Sequence, residues 1–200
     1  MQQSDERILI THVGSLPRNP ALRDLLVRQE RGEAIDEAEL QRQVEAAVEM
    51  AVRKQLEVGI DIGNDGEQPR VGFSTYVGRR MRGFGGESHR PPARDVADYP
   101  DYGTMLEFRR RFAARTSNAP QAVAEIEYAD LSEAAKECDL FLRCTDAHPQ
   151  KFTERFMTAA SPGIIATTLL NAYYDSHERY LFALGKQMQK EYELIHSRGL

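Results

Sequence analysis

Cysteine is scarce in this sequence of 200 residues, in which only Cys138 and Cys144 occur. Two cysteines without a CxxC spacing form neither a disulfide framework nor a cysteine-based zinc site, and reduced thiols are their usual state in a cytosolic protein. Long apolar runs are also missing, since no stretch approaches the roughly 18 residues that a membrane helix needs. The polar, acidic start of the chain differs from a signal peptide. We therefore expect a cytoplasmic protein.

A strong excess of one charge is absent as well. The 26 basic and 31 acidic residues are interleaved and leave a formal net charge of -5. The most basic cluster, residues 109–111 with Arg115, sits in an ordinary helical pattern, whereas nucleic-acid-binding proteins usually show a continuous basic face. We therefore expect partners that are small molecules, with no nucleic acid and no membrane. The 41% of apolar residues is enough to build a buried core.

The apolar pattern of the first third predicts a strand, a helix and a second strand. Residues 8–10 form a short β-branched and leucine-containing run that predicts a buried strand. Residues 36–57 predict an amphipathic helix that begins with a capping-box spacing, and Gly59 ends it. Residues 60–62 predict the next strand. This order is a βαβ unit, which implies that the two strands are parallel.

The rest of the chain predicts less regular elements. Prolines and charges over residues 85–145 predict an irregular insertion on the surface. The predicted helices are residues 20–31, 74–83, 104–114 and 152–159 and a long closing helix capped by Asp175. The further predicted strands are residues 124–128, 140–144 and 164–170, the last preceded by a turn at 161–163.

Together these elements predict an α/β fold, for which a (β/α)8 TIM barrel is the natural candidate. A complete barrel needs about 250 residues, so this chain would supply the first three to four βα units. A barrel with an open side exposes two strand edges. We therefore expect residues 1–200 to form a single incomplete TIM-barrel domain, either truncated or completed by another polypeptide.

Three polar loops follow the best predicted strands, at residues 12–15, 64–67 and 171–175. Because sites in parallel α/β sheets lie at the carboxyl ends of the strands, we expect the site among these loops, with the first two as the two sides of one pocket. Gly14 would let backbone amides approach a ligand, and the hydroxyl of Ser15 suits a carboxylate. Asp65 and Glu67 offer acceptors for an ammonium group. The two charged ends of an amino acid match this arrangement.

Each of these features also has a purely structural interpretation. Gly14 and Ser15 form a plausible tight turn, and Asp65 with Gly66 is a common turn dipeptide. Glu67 can be a solvated carboxylate, and His12 can be a structural histidine with satisfied hydrogen bonds. The residues by themselves leave these alternatives open.

Several longer blocks stand in a fixed order along nearly the whole chain. They are residues 11–18 (THVGSLPR), 59–68 (GIDIGNDGEQ), 72–77 (GFSTYV), 82–84 (RGF), 161–163 (SPG) and 171–174 (NAYY). Together they resemble the catalytic barrel of cobalamin-independent methionine synthases. The first two blocks are most similar to the short single-barrel relatives, which include epoxyalkane:coenzyme M transferases.

The resemblance implies methyl or alkyl transfer to a thiol that is held as a zinc thiolate, since the metal lowers the thiol pKa. It also implies that Val13, Gly14 and Ser15 hold the homocysteine carboxylate and that Glu67 helps to hold the amine. His12 and Asp65 are further candidate substrate-binding residues.

The family's zinc ligands are a His-x-Cys pair, a glutamate and a further cysteine, and nothing in this sequence matches them. We expect them beyond Leu200. This chain alone is therefore expected to bind no zinc and to hold no catalytic residue.

The favoured hypothesis is a zinc-dependent S-methyltransferase of methionine biosynthesis. It would transfer a methyl group from a 5-methyltetrahydrofolate-like donor to the thiol of homocysteine, and this chain would be a fragment that is inactive alone. Two alternatives stay open. One is alkyl transfer to another thiol, such as coenzyme M, and the other is a non-catalytic paralogue that kept the amino-acid pocket and lost the metal half.

Overall fold

The computed structural model describes residues 4–88, 94–110 and 119–200. Within these ranges helices predominate and the strands are short. The helices are α1 (Pro20–Glu30), α2 (Glu37–Glu57), α3 (Val77–Arg80), α4 (Arg94–Asp98), α5 (Pro100–Arg110), α6 (Ser132–Ala147), α7 (Pro162–Thr168) and α8 (His177–Ser197). The strands are β1 (Ile62–Gly63), β2 (Arg82–Gly85), β3 (Gln121–Glu127) and β4 (Glu154–Arg155). No helix in these ranges has the length and apolar character to cross a bilayer.

The first sheet is parallel. Strand β1 pairs with β4, and Thr11 forms a parallel bridge to Ile62 on the other side of β1. The main-chain amides of Asp61 and Ile62 both donate to the carbonyl of Ile10, at 3.0 and 3.1 Å. Helices α1 and α2 connect the Thr11 segment to β1. The predicted parallel arrangement of these two segments is therefore confirmed, and the chain is an α/β protein.

Asp61 fastens the first segment to the sheet. Its carboxylate accepts hydrogen bonds from the guanidinium of Arg7 and, at 2.9 Å, from the amide of Ile10. These bonds lower the pKa of Asp61 to about 2. The side chains of Ile8 and Ile10 are nevertheless 82% and 46% exposed. The prediction of a buried strand is wrong here, because this segment is an edge that nothing covers within the described ranges.

Helices α1, α2 and α6 share an apolar core. The predicted stripe of α2 is buried, at Leu40, Val44, Ala47, Val48, Ala51 and Val52. Asp36 caps this helix, since its carboxylate accepts from the amides of Ala38 and Glu39 at 3.0 Å. The prediction for residues 36–57 is confirmed.

The predicted irregular insertion is wrong for its second half. Residues 121–127 form β3, close to the predicted strand, but residues 140–144 lie inside helix α6 and not in a strand. Leu140 and Phe141 are core residues. A short apolar run does not by itself distinguish a strand from a buried stretch of helix. In the first half, residues 89–93 and 111–118 lie outside the described residues, as do Arg111 and Arg115 of the basic cluster.

Residues 152–159 were predicted as a helix but contain β4. The amide of Thr153 donates to the carbonyl of Asp61 at 2.8 Å, and that of Phe156 donates to Gly63 at 3.0 Å. Sheet pairing with β1 therefore overrides the local preference for helix. Gly63 is needed there because a Cβ atom would lie 2.4 Å from the Phe152 ring.

Residues 164–170 were predicted as a strand, but helix α7 takes up most of them. Ser161 caps the helix by accepting from the amide of Ile164 at 3.3 Å, and Pro162 occupies the first turn. Serine followed by proline is a helix-start pattern that outweighs the β-branched composition here. The hydroxyl groups of Thr167 and Thr168 also donate hydrogen bonds to the carbonyl of Ile164.

The second sheet is separate from the first. Strands β2 and β3 are antiparallel, and Asn171 forms a parallel bridge to Ala122 of β3. Helices α7 and α8 pack on this sheet in a second apolar core. The helix predicted over residues 74–83 is confined to α3 and gives way to β2. The long closing helix is confirmed as α8, but its cap is Ser176 and not the predicted Asp175.

Candidate active site

The first two polar loops meet. The hydroxyl of Ser15 donates to Oε2 of Glu67 at 2.5 Å. The amide of Leu16 donates to the carbonyl of Gly66 at 3.0 Å, and Nδ2 of Asn64 donates to the carbonyl of His12 at 2.6 Å. These loops follow neighbouring parallel segments, so their contact is what strand order requires.

The loop that carries Glu67 has an unusual backbone. Gly66 and Glu67 both have positive φ, 65° and 56°. Two side chains support this conformation, since Asn64 Oδ1 accepts from the amide of Gly66 at 2.7 Å and Asp65 Oδ1 accepts from that of Glu67 at 2.8 Å. A left-handed conformation costs a residue with a side chain about 1–2 kcal/mol. Such strained residues cluster at functional sites.

Arg18 binds the same loop from the side of the first one. Its Nη2 donates to the carbonyls of Glu67 and, at 2.6 Å, of Arg70, and its Nε donates to the carbonyl of Gln68 at 3.2 Å. Burial lowers the pKa of the guanidinium, and the nearby carboxylates of Glu67 and Asp65 oppose this shift. Arg18 lies within the block 11–18, but the sequence interpretation assigned it no role. Its position directly after Pro17 in that block is the signal that could have identified it.

The two acidic side chains of the site are buried. Glu67 is 3% exposed, so its interpretation as a solvated carboxylate is wrong, while Ser15 is exposed. Asp65 is 1% exposed, and Oδ2 of Asp65 has no hydrogen-bond partner among the described residues. Burial raises the pKa of Asp65 to about 6, against the opposing effect of Arg70. Glu67 therefore faces Ser15, whereas Asp65 supports the loop.

The remaining residues of the first loop are placed differently. Nε2 of His12 lies 2.7 Å from the carbonyl of Gly14, within the same turn, which favours the structural interpretation of this histidine. Val13 is 72% exposed. Gly14 has a φ of 96° with open space around the position of a Cβ atom, so its backbone conformation is what requires glycine.

The third polar loop does not join the other two. Asn171 is bridged to Ala122 in the second sheet, and its side chain accepts from the amides of Tyr173 and Tyr174. The hydroxyl of Tyr174 accepts from the amide of Ile126 at 2.9 Å. The prediction that residues 171–175 follow a strand of the same parallel sheet is therefore wrong. They follow helix α7 and pair with the other sheet.

A buried ion pair lies behind the site loop. Nε and Nη2 of Arg70 donate to Oε2 of Glu137 at 3.1 and 3.0 Å, and Nη1 donates to the carbonyl of Thr158 at 2.6 Å. Arg80 donates to the other oxygen of Glu137. The two guanidinium groups lower the pKa of Glu137 although burial acts in the opposite direction. The pair connects the loop to helix α6 and to the segment after β4.

Glu191 extends this network into helix α8. The hydroxyl groups of Tyr76 and Tyr128 donate to its two oxygens at 2.7 and 2.5 Å. Arg70 and Arg80 each lie 4.5 Å from the Tyr76 ring centroid. Sequence analysis missed Arg80, Glu137 and Glu191, because a charge within an amphipathic helix ordinarily indicates a solvated face.

The described residues do not fit the zinc ion that the family resemblance implies. They contain no group of three or more histidine, cysteine, aspartate or glutamate side chains placed to hold a metal ion. Burial raises the pKa of Cys138 to about 11 and also raises that of Cys144. Neither thiol is thus prepared to act as a thiolate ligand.

The first part of the chain is similar to a known enzyme family. Residues 8–90, which include both site loops, match the family described as "Cobalamin-independent synthase, Catalytic domain". The 5-methyltetrahydropteroyltriglutamate–homocysteine methyltransferase of Paraburkholderia phytofirmans is 39% identical over 74 residues, which are 37% of this chain and 10% of that protein. The enzyme of the same name from Acidithiobacillus ferrooxidans is 32% identical over 79 residues, 40% of this chain and 10% of that protein. Residues 8–90 are thus similar to the catalytic domain of the cobalamin-independent methionine synthases.

Solved structures of this family share the fold of the chain. A B12-independent methionine synthase from Shewanella sp. W3-18-1, in complex with selenomethionine, aligns with a TM-score of 0.64 and 22% identity over 94% of this chain and 48% of that one. A putative B12-independent methionine synthase from Listeria monocytogenes aligns with a TM-score of 0.60 and 19% identity over 97% and 51%. The chain thus spans about half of these solved synthases and about a tenth of the curated relatives.

Proposed function

We propose that this chain provides the amino-acid part of the substrate site of a homocysteine S-methyltransferase. The contact between Ser15 and Glu67 at 2.5 Å carries the proposal, since it unites two loops within the segment that matches the catalytic domain. In the bound state, the Gly14–Ser15 turn holds the ligand carboxylate and Glu67 holds its ammonium group. Asp65 shapes the loop from beneath, and His12 and Val13 complete the turn.

The reaction proposed for the whole protein is methyl transfer from a 5-methyltetrahydrofolate-type donor to homocysteine. The names of the curated relatives support it. Because the described residues offer no ligand set for zinc, no step through the metal is assigned to this chain. We also propose that the chain folds as the first part of a (β/α)8 barrel and works in the cytoplasm. The similarity to half of a solved synthase supports the barrel.

Calorimetric titration of the purified chain with L-methionine and L-homocysteine tests the site. We expect saturable binding of both amino acids. Two analogues of methionine, 3-(methylthio)propylamine without the carboxylate and 4-(methylthio)butanoic acid without the amine, should each bind at least about tenfold more weakly. Coenzyme M has no ammonium group, so tighter binding of coenzyme M than of L-methionine contradicts the proposal.

Two variants assign the binding to the proposed residues. Ser15→Ala and Glu67→Gln each remove one charged or polar contact. Each should weaken the binding of L-methionine about tenfold or more. Ser197→Ala and Glu193→Gln are matched controls on the exposed surface of α8, and both should bind like the unchanged chain. Equal affinity in all four variants places the ligand elsewhere.

A further inference from the structure

We infer that Arg18 is a positioning residue of the candidate site: it holds the main chain of residues 67–70 so that the Glu67 carboxylate faces Ser15. The inference rests on the proposed function for the identity of the ligand, but its structural part stands without it. Arg18 touches no reacting atom in this scheme. It acts through Glu67.

The guanidinium of Arg18 donates hydrogen bonds to three carbonyl groups of one short loop. Nη2 donates to the carbonyls of Glu67 and Arg70, and Nε donates to that of Gln68. The side chains of Glu67, Gln68 and Arg70 are at most 3% exposed. Burial of a carbonyl without a donor is unfavourable. Loss of Arg18 removes a donor from the carbonyls of Gln68 and Arg70, and it leaves the carbonyl of Glu67 with only the amide of Arg70 at 3.3 Å.

The conformation of the loop explains why a side chain must supply these donors. Consecutive left-handed residues, Gly66 and Glu67, turn the chain so sharply that a regular helix or strand cannot form around them. Arginine presents several N–H donors in a rigid planar fork, whereas lysine has a single nitrogen. The fork of Arg18 therefore fixes the peptide groups on which the direction of the Glu67 side chain depends.

Ser15 and Arg18 approach Glu67 from the same turn. Ser15 binds the carboxylate of Glu67, while Arg18, three residues later, binds its carbonyl. Two further bonds fix the distance between the loops, since the amide of Leu16 donates to Gly66 and Nε2 of Gln68 donates to the carbonyl of Leu16 at 2.9 Å. Displacement of Arg18 therefore changes the relation between Ser15 and Glu67 and not only the local packing.

A double-mutant cycle separates positioning from a general loss of stability. Dissociation constants for L-methionine are measured by calorimetry, well below the unfolding temperature of each variant. Arg18→Gln should weaken binding about tenfold or more, and Arg18→Lys should restore part of the loss. In a Glu67→Gln background, Arg18→Gln should add less than about twofold. Arg42→Gln, which removes an exposed guanidinium from α2, is the control and should bind normally.

Two results of the cycle overturn the inference. One is a folded Arg18→Gln variant whose affinity is within twofold of the unchanged chain. The other is an equal loss in the presence and absence of the Glu67 carboxylate, since Arg18 would then act by another route. If Arg18→Gln does not fold, Arg18→Lys is taken through the same cycle.

Amide hydrogen exchange tests Arg18 even if L-methionine fails to bind, a result that would refute the proposed function alone. In Arg18→Gln, the amides of Leu16, Glu67 and Arg70 should exchange at least about tenfold faster, while those of α2 keep their rates. Each of these three amides donates to a loop carbonyl or carboxylate. Unchanged exchange at these positions overturns the inference about Arg18.

Discussion

Asp65 shows how one buried residue makes stability depend on pH. Burial raises its pKa from 3.8 to about 6. Between about pH 4 and pH 6 the folded chain therefore binds more protons at this carboxyl than the unfolded chain does, so stability falls as the pH rises through this window. The loss is on the order of 2–3 kcal/mol, at about 1.4 kcal/mol for each pKa unit.

Asp65→Asn should remove this fall in the free energy of unfolding between about pH 4 and pH 6. Urea unfolding of both proteins at half-unit steps from pH 4 to pH 7.5 provides the comparison, and the difference between the two curves isolates Asp65. Asp61, with a pKa of about 2, contributes in the opposite sense and only below about pH 4. Parallel curves for the two proteins would mean that Asp65 ionises normally.

Gly66 separates the two reasons for which a residue must be glycine. Its φ is 65°, and a Cβ atom would lie 2.8 Å from Cδ1 of Leu16. Gly32 has a similar φ of 72° but open space around it. Gly32→Ala should thus lower the free energy of unfolding by the left-handed strain alone, about 1–2 kcal/mol. Gly66→Ala should lower it by about 1 kcal/mol more, because the new Cβ atom also meets Leu16. Urea unfolding measures both, and equal losses would mean that the Leu16 contact relaxes freely.

At the scale of the element, helix α6 carries two glutamates one turn apart with different surroundings. Glu137 is 8% exposed and binds Arg70 and Arg80, whereas Glu133 is 40% exposed and binds Arg79 and Arg80. Glu137→Gln removes the negative charge that pairs with two buried guanidinium groups. It should therefore lower the free energy of unfolding by about 3–5 kcal/mol. Glu133→Gln should cost less than about 1 kcal/mol. Denaturant midpoints compare the two variants, and similar losses in both would contradict this account.

The elements differ in how well the sequence predicted them. Helices α2 and α8 were predicted because their long amphipathic stripes agree with their final packing, and for α2 the predicted cap is also correct. Short runs were misassigned in both directions. Strand β4 has two residues, and their pairing with β1 outweighs a helical pattern. Helix α7 contains β-branched residues, but Ser161 and Pro162 at its start favour a helix. In such segments long-range pairing decides, and local sequence contains little of that information.

At the scale of the whole molecule, the contact of Ser15 with Glu67 could be predicted because it follows from strand order alone. The network of Arg70, Glu137 and Glu191 could not, because it depends on how helices α6 and α8 pack against the loop. The same limit explains the error over residues 171–175. Their polar composition resembled that of a strand-end loop, but the fold assigns them to the second sheet.

The open edge of the first sheet leads to a prediction about assembly. Ile8 is 82% exposed on a segment that pairs only with β1 in the described ranges, and exposed apolar edge strands promote association. We expect sedimentation velocity to show self-association of the purified chain that increases with concentration. Ile8→Lys should reduce it, because a charge on an edge opposes strand pairing between chains. Val58→Lys is the control, since Val58 is also apolar and is 71% exposed at the end of α2. This substitution should leave the self-association unchanged. A single monomer peak for the unchanged chain at every concentration would contradict the prediction.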